Sequence, residues 1–170
     1  MATILTPLTA DDAAAVLAIN EASVHHLAPL DEAEYLWFLD HAAQALGAVV
    51  DGEVLGFVFI LDPGVTYASR NYAWFSERYD AFAYLDRVAI DERARRQGVG
   101  TAIYEAAEAY AAAQGGPLLL EVNIQPPNEP SLAFHASRGF EEVGTLEHDG
   151  GKVVRLLAKG TNAMPTPPAT

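Results

Sequence analysis

The segment 95–101 reads Arg-Arg-Gln-Gly-Val-Gly-Thr and has the residue types of an anion-binding loop. Two glycines one residue apart let the backbone turn close to a ligand, and a following helix would direct its unpaired N–H groups and positive dipole end at that ligand. A phosphate or pyrophosphate suits such a position. No Lys-Ser or Lys-Thr follows the second glycine and no third glycine completes a dinucleotide fingerprint, so the arginines must supply the charge. The alternative is that Gly98 and Gly100 merely begin a helix.

The distribution of charge favours an anion at this loop. The 170-residue chain has a formal net charge of −13, which argues against a nucleic-acid partner because its phosphates would be repelled. All ten Lys and Arg residues lie at or beyond Arg70, and three of them are Arg93, Arg95 and Arg96. The loop is therefore the most cationic part of an acidic chain, although a solvated charged turn would have the same composition.

Composition excludes several kinds of chemistry. The chain has no cysteine, so a thiol nucleophile, a cysteine zinc site and a disulfide framework are impossible. The five histidines have no metal-ligand spacing, and we expect no metal. The sequence begins without a basic leader and has no apolar run of membrane-spanning length, so we expect a soluble, cytoplasmic protein with no membrane partner.

Helices and strands alternate along the chain and would position this loop. Capping boxes at Thr9 and Asp31 predict two helices, the second running toward Ala45. The pair Asp51-Gly52 between apolar stretches predicts a tight antiparallel hairpin. The remaining predicted elements are a strand over 82–90, a helix ending at 114–116, a strand over 117–124, a short helix over 128–139, and paired strands over 141–146 and 153–158.

This order of elements predicts one α/β domain over residues 1–160. We expect a central mixed, mostly antiparallel sheet flanked by helices. The polar, Pro-rich tail over 161–170 has nothing to bury and is predicted to be disordered.

The stretch before the strand at 82 is rich in aromatic side chains. It contains Tyr67, Tyr72, Trp74, Phe75 and Tyr79, in a segment predicted to be irregular. Such side chains could line a binding site or fold back as a satellite core, and the sequence leaves both open.

Two motifs, together with the order of elements, resemble the GNAT superfamily of acetyl-coenzyme A dependent N-acetyltransferases. The first is Val88-Ala89-Ile90 followed by the arginine and glycine segment 95–100, which is similar to the family's pyrophosphate loop. The second, Asn128 through Phe140, is similar to a later segment of the family. The resemblance covers Ile4 to Lys159, and it implies the GNAT fold, acetyl-coenzyme A as co-substrate, and a possible homodimer.

The resemblance also implies which residues hold the coenzyme. The main chain of Val88 and Ile90 would pair with the pantetheine arm, and amides from Arg95 to Thr101 would surround the pyrophosphate. The implied coenzyme-binding residues are Val88, Ala89, Ile90, Arg95, Arg96, Gln97, Gly98, Val99, Gly100, Thr101, Asn123, Asn128, Ser131 and His135.

Acetyl transfer to an amine requires an unprotonated nitrogen, stabilisation of an oxyanion, and a proton for the departing thiolate. The family commonly has a Tyr general acid where this chain reads Phe134-His135. The imidazole of His135 could donate that proton, or it could only hydrogen-bond the coenzyme or a nearby backbone group.

The candidate bases lie on two strands. Period-two alternation places Tyr84 and Asp86 on one face of the strand at 82–90. Asp86 could act through water, with Tyr84 as the second candidate. Alternatively, Asp86 could be a solvated residue paired with Arg87 or another surface cation. Glu121 is a third choice. Since no nucleophile for an acyl-enzyme is evident, we expect direct attack in a ternary complex.

The resemblance assigns acceptor binding to the first two helices and the loop before the central strand. These segments hold the acidic excess and many aromatic residues, which favours a cationic primary amine, either a small molecule or a peptide. The candidate acceptor-binding residues are Asn20, Tyr35, Trp37, Tyr72 and Trp74. The alternative functions are a non-catalytic coenzyme A binding or sensing domain of the same fold and a protein-interaction module.

Overall fold

The structure is a computed structural model that describes residues 2–161 and 163–165. These residues fall into two compact units. The first comprises the residues up to Leu61 together with Leu85–Ala107, and the second comprises Asp62–Tyr84 with the residues from Glu108 onward. The predicted disordered tail falls mostly on residues 162 and 166–170, which lie outside the described residues.

A mixed, mostly antiparallel sheet organises the described residues, as predicted. It has seven strands, and its first strand, Ile4–Pro7, was not predicted. Its strand order is β1-β2-β3-β4-β5-β7-β6. The pairs β1·β2, β2·β3, β5·β7 and β6·β7 are antiparallel, whereas β4 and β5 are parallel and pair through Ala83 with Leu118 and Tyr84 with Leu119. The strands are β1 Ile4–Pro7, β2 Gln44–Val50, β3 Glu53–Leu61, β4 Ala83–Ile90, β5 Leu118–Gln125, β6 Glu141–Glu147 and β7 Val153–Lys159.

Within residues 2–161 and 163–165, five α-helices accompany the sheet. They are α1 Ala13–Ala22, α2 Glu32–His41, α3 Arg70–Ser76, α4 Val99–Ala113 and α5 Glu129–Ser137. The predicted capping boxes are present: the side chains of Thr9 and Asp12 close one before α1, and those of Asp31 and Glu34 close the other at α2. None of the helices in the described residues is both long and apolar enough to cross a lipid bilayer.

The predicted end of the second helix and the predicted irregular stretch are both wrong. Helix α2 ends at His41 rather than near Ala45, because Gln44 already pairs with β3. Within the aromatic stretch, Ser69 accepts a hydrogen bond from the Tyr72 N–H at 3.1 Å and thereby begins α3. The helical signal of this short segment is weak, and the helix is stabilised because one of its faces is buried against the rest of the unit.

Each unit buries its own core. In the first unit, Val16 and Ile19 of α1 and Tyr35 and Phe38 of α2 are buried, and the Phe38 ring stacks on Phe59 of β3 with centroids 4.5 Å apart. The hairpin before β3 turns at residues 51 and 52, both with positive φ, as the tight-turn prediction requires.

In the second unit, the aromatic residues of the stretch mostly form core. Tyr72, Phe75 and Tyr79 are buried, and Tyr72 lies edge-on to Phe82 and Tyr84. Of the two alternatives left open by the sequence, the satellite core therefore describes these three residues. Tyr67 and Trp74 are half-buried.

Candidate active site

The arginine and glycine loop connects β4 to α4 within the first unit. Asp91 caps a 3-10 turn at Glu92–Ala94 by accepting a hydrogen bond from the Arg93 N–H at 2.8 Å. The chain then passes through Arg96 and Gly98, which have φ of 65° and 80°. Helix α4 begins at Val99. The loop is thus an ordered turn that leads directly into the 15-residue helix α4. The amides in the first turn of α4 lack partners within the helix.

The two glycines of the loop have different surroundings. Gly98 has a left-handed φ of 80° and open space where a side chain would begin, so its requirement comes from the backbone. Gly100 lies in the first turn of α4, where an added Cβ would be 3.3 Å from Cδ1 of Ile90. The spacing therefore reflects both a turn and a close approach between the end of β4 and the start of α4.

Only part of the positive charge of the loop is available to a ligand. Arg93 donates to both carboxylate oxygens of Asp91, at 3.0 and 3.1 Å, and to Glu53 at 3.1 Å. Its hydrogen bonds hold the pKa of Asp91 below the usual range. Within the described part of the chain, the exposed Arg95 and Arg96 make no ion pair and no side-chain hydrogen bond. These two, rather than all three, carry the free positive charge.

The end of β4 lies against β3. Ala89 is buried, and its carbonyl oxygen would be 3.3 Å from a Cβ added to Gly56 of β3. Val88 and Ile90 are half-buried, while the Asp91 N–H donates to the Leu55 carbonyl at 2.7 Å. The end of the strand that precedes the loop is thus held in place by β3. Pairing of its main chain with a pantetheine arm stays a prediction.

Tyr84 and Glu121 are brought together in the second unit. The Tyr84 hydroxyl, on a side chain that is buried, donates to Oε1 and Oε2 of Glu121 at 3.0 and 2.8 Å. Sequence reasoning ranked Glu121 third and did not foresee this pair. A signal was present, because adjacent parallel strands place alternate residues on a common face, and Glu121 interrupts an otherwise apolar run.

Asp86 lies in the first unit and is paired with its neighbour. Arg87 Nε donates to Asp86 Oδ2 at 3.0 Å, and both side chains are buried. This is the arrangement that the sequence offered as the alternative to a catalytic base. The pair is buried, however, whereas the sequence suggested a solvated one.

Helix α5 positions the residues of the second motif. Asn128 caps the helix by accepting from the Ser131 N–H at 3.3 Å, and its own N–H donates to the Asn123 carbonyl at 3.0 Å. His135 is buried, with Nδ1 2.6 Å from the Ser131 carbonyl oxygen and 3.3 Å from the Ser131 hydroxyl. A carbonyl oxygen only accepts, so Nδ1 carries a proton.

The environment of His135 favours its neutral form. Burial lowers the pKa of His135, the hydrogen bond to Ser131 partly opposes this, and the positive charge of Arg138 adds to the lowering. In the neutral ring with a proton on Nδ1, Nε2 is an acceptor rather than a donor. The hydrogen-bonding alternative for His135 therefore fits this geometry better than a general acid.

The candidate acceptor residues divide into buried and half-buried groups. Asn20, Tyr35 and Tyr72 are buried, and each polar group has a protein partner: the Tyr35 hydroxyl donates to the Thr9 carbonyl at 2.7 Å, and the Tyr72 hydroxyl to the Asp62 carbonyl at 2.6 Å. Trp37 and Trp74 are half-buried. Trp37 stacks on His41, and Arg78 lies 3.9 Å above Trp74.

The predicted residues therefore gather in two groups. The loop and Asp86 belong to the first unit, and Tyr84, Glu121 and the second motif belong to the second. Across the described residues, no set of three His, Asp or Glu side chains is arranged to hold a metal ion.

The family follows from comparison with known proteins. The model of the acetyltransferase (GNAT) family matches residues 13–140. This chain belongs to that family and is an acyltransferase, as its sequence predicted.

Individual relatives agree with this assignment. The chain is 28% identical over 134 residues to an N-alpha-acetyltransferase of Sulfurisphaera tokodaii, covering 74% of this chain and 75% of that protein. It is 35% identical over 106 residues to an aminoglycoside N(6')-acetyltransferase type 1 of Klebsiella aerogenes, covering 62% and 63% of the two chains. The crystal structure of Ard1 from Thermoplasma volcanium has the same fold, with a TM-score of 0.74 at 21% identity over 94% of this chain and 97% of that one.

Proposed function

We propose that this acyltransferase moves an acetyl group from acetyl-coenzyme A to a primary amine. The observation that carries the proposal is the loop before α4, where a left-handed Gly98 and the exposed Arg95 and Arg96 precede the first-turn amides. Such a turn suits the pyrophosphate of coenzyme A, because amides and guanidinium groups are donors to phosphate oxygens. Amides from Arg95 to Thr101 would hold it, and the main chain of Val88 and Ile90 would hold the pantetheine arm.

We assign the base to Glu121 ahead of Asp86. The Asp86 carboxylate is paired with the cation Arg87, whereas the Glu121 carboxylate accepts a hydrogen bond from the neutral hydroxyl of Tyr84. Glu121 would take the proton of the attacking amine, directly or through one water, while Tyr84 orients the carboxylate. The departing thiolate of coenzyme A would take its proton from water. His135 would serve α5 and the coenzyme by hydrogen bonding.

We further propose direct attack in a ternary complex and a cationic acceptor. The absence of cysteine removes the most reactive acyl carrier. The first 69 residues contain ten Asp and Glu and no Lys or Arg, and exposed carboxylates on α2 include Glu32, Glu34 and Asp40. Two relatives are named for acetylation of N-terminal or aminoglycoside amines. An acidic surface would attract such acceptors.

The function is tested by thiol release from acetyl-coenzyme A with a panel of amines. The panel contains peptides with free N-termini, aminoglycosides, polyamines and neutral amines of matched size. We expect amine-dependent thiol release that is faster for cationic acceptors and slower at high salt. Thiol release that does not depend on the amine would mean hydrolysis of the thioester and would contradict acetyl transfer to an amine. Binding of acetyl-coenzyme A in a calorimeter without any turnover would instead identify a coenzyme sensor.

The order of events has a separate test. After incubation with acetyl-coenzyme A and no acceptor, the intact mass of the enzyme should not increase by an acetyl group. A stoichiometric acetyl adduct that is discharged by amine would contradict direct attack. A cytoplasmic location and a homodimer stay predictions.

A further inference from the structure

The most unusual buried charge in the first unit belongs to Arg87 of β4. The residue is 7% exposed, and its guanidinium lies 5.4 Å from the ring centroid of Phe38 on α2. A guanidinium removed from water is costly unless its donors are bonded. The hydrogen-bond partners of Arg87 are therefore important for the structure around it.

The bonds of Arg87 converge on the connection between α1 and α2. Nε binds Asp86, and Nη1 donates to Asn20 Oδ1 and to the Ala28 carbonyl, both at 3.2 Å. The amide of the fully buried Asn20, near the end of α1, also donates to the Ala28 carbonyl at 3.0 Å. One carbonyl oxygen of the connection thus accepts hydrogen bonds from both a helix and a strand.

Much of the connection is exposed. His25, His26 and Pro29 are exposed and Val24 is 38% exposed, whereas Leu27 and Leu30 are half-buried. Local turn bonds from His26 and Leu27 to the Ser23 carbonyl shape the first half. A segment with so little buried apolar surface takes its conformation from its polar bonds.

We propose that Arg87 and Asn20 are positioning residues that set the conformation of residues 23–31 for acceptor binding. The inference rests on the proposed function and on an acceptor amine that binds at α1 and α2, where the family resemblance assigns it. Arg87 also lies one residue before Val88. The same strand that is assigned to the pantetheine arm therefore holds residues 23–31 through the hydrogen bonds of Arg87. The planar guanidinium is suited to this because its donors reach Asp86, Asn20 and Ala28 together.

The test compares Arg87→Lys, Asn20→Ala and Asn20→Asp with Arg155→Gln as the matched control. Lysine keeps the charge beside Asp86 but lacks the planar fork, and Asn20→Asp keeps an acceptor for Arg87 while losing the donor to Ala28. Arg155 pairs with Glu142 on the surface of the second unit. Asn20→Ala keeps Arg87 and Asp86 intact, so it remains informative even if Arg87→Lys folds poorly.

We expect Arg87→Lys and Asn20→Ala to raise the KM for the amine by roughly tenfold, as for loss of a hydrogen bond to a charged group, while the KM for acetyl-coenzyme A stays within about twofold. Asn20→Asp should give a smaller rise, and Arg155→Gln should match the wild type. Equal changes in both KM values, or loss of kcat alone, would overturn the positioning role.

Hydrogen exchange separates this inference from the proposed function. The amides of residues 23–31 should exchange faster in Asn20→Ala and Arg87→Lys, with protection in α4 unchanged. If the wild type acetylates no amine, the proposed function fails, but faster exchange in the variants still shows that Arg87 and Asn20 hold residues 23–31 in place. Unchanged exchange over residues 23–31 would overturn this role whether or not the enzyme is active.

Discussion

The buried hydroxyl of Tyr84 on β4 is hydrogen-bonded to both carboxylate oxygens of Glu121 on β5. A hydroxyl has one proton, so this proton is shared between the two oxygens and aligns the plane of the carboxylate. A carboxylate oxygen has more than one lone pair, so a hydrogen bond from a hydroxyl does not by itself prevent it from accepting a proton. An oriented carboxylate held by a neutral donor is a suitable general base.

We therefore predict that Glu121→Gln lowers kcat by about 100-fold or more, as for loss of a general base, with little change in the KM for acetyl-coenzyme A. Tyr84→Phe, which keeps the carboxylate and removes only its orienting bond, should lose less. Steady-state kinetics of both variants provide the measurement, and Glu142→Gln on the exposed edge of the sheet is the control. If Glu121→Gln keeps wild-type kcat, the base lies elsewhere, and Asp86 becomes the next candidate.

A second prediction concerns the backbone of the coenzyme loop. Ala at position 98 must adopt a left-handed φ, at a cost of about 1–2 kcal/mol, or else shift the amides of the loop, which would raise the KM for acetyl-coenzyme A by roughly tenfold. Gly150→Ala is the matched control, because Gly150 has a φ of 82° and equally open surroundings in a different turn. Both variants should lose thermal stability, but only Gly98→Ala should bind the coenzyme more weakly. Equal coenzyme KM values in the two variants would refute a role for this backbone in binding.

Local signals in the sequence were sufficient for most of the fold. The capping box at Asp31, the Asp51-Gly52 turn and the glycine loop each depend on contacts between near neighbours, so a single sequence can predict them. Helix α3 was not predicted because it is stabilised by burial of Tyr72 and Phe75, and this burial depends on distant residues that cover them.

The site was predictable in proportion to how local its parts are. The loop could be recognised from seven consecutive residues, but the burial of Asp86 with Arg87 requires α1 and α2 to fold over the strand. The ranking of Asp86 above Glu121 rested on alternation along one strand. Alternation gives the face of a side chain but not which partner meets it there.

His135 supplies a third prediction, which concerns pH. Burial lowers its folded pKa below the value of 6.5 expected in the unfolded chain. As the pH falls below 6.5, the unfolded state takes up the proton first, so stability decreases until the folded pKa is reached. We expect urea midpoints to fall over this range in the wild type and to fall less in His135→Asn. The difference isolates His135, because the other histidines are common to both proteins.

The same imidazole has a spectroscopic signature. Nitrogen-15 shifts should identify a neutral ring with the proton on Nδ1, as the 2.6 Å approach to the Ser131 carbonyl requires. If kcat falls in His135→Asn and the ring proves to be doubly protonated near neutral pH, His135 would be restored as a general acid.

The last prediction concerns the charges that hold the end of α5. Glu108 of α4 accepts from Arg138 at 3.0 and 2.7 Å and from Lys159 at 2.7 Å, and all three side chains are half-buried. Burial raises the pKa of Glu108, but the hydrogen bonds and charges of Lys159 and Arg138 outweigh it and lower the pKa below 4.5. The stabilisation is therefore complete above pH 4.5 and is lost as the pH falls through the folded pKa.

Glu108→Gln should accordingly reduce the free energy of unfolding near neutral pH by about 1–2 kcal/mol, because two cations lose their carboxylate. Its stability should also depend less on pH below 4.5 than that of the wild type. Glu142→Gln removes an ion pair whose partners are 40% and 50% exposed, and should change stability by less than about 0.5 kcal/mol. Urea unfolding across this pH range measures both effects. Equal losses in the two variants would mean that burial of the Glu108 cluster adds nothing to its strength.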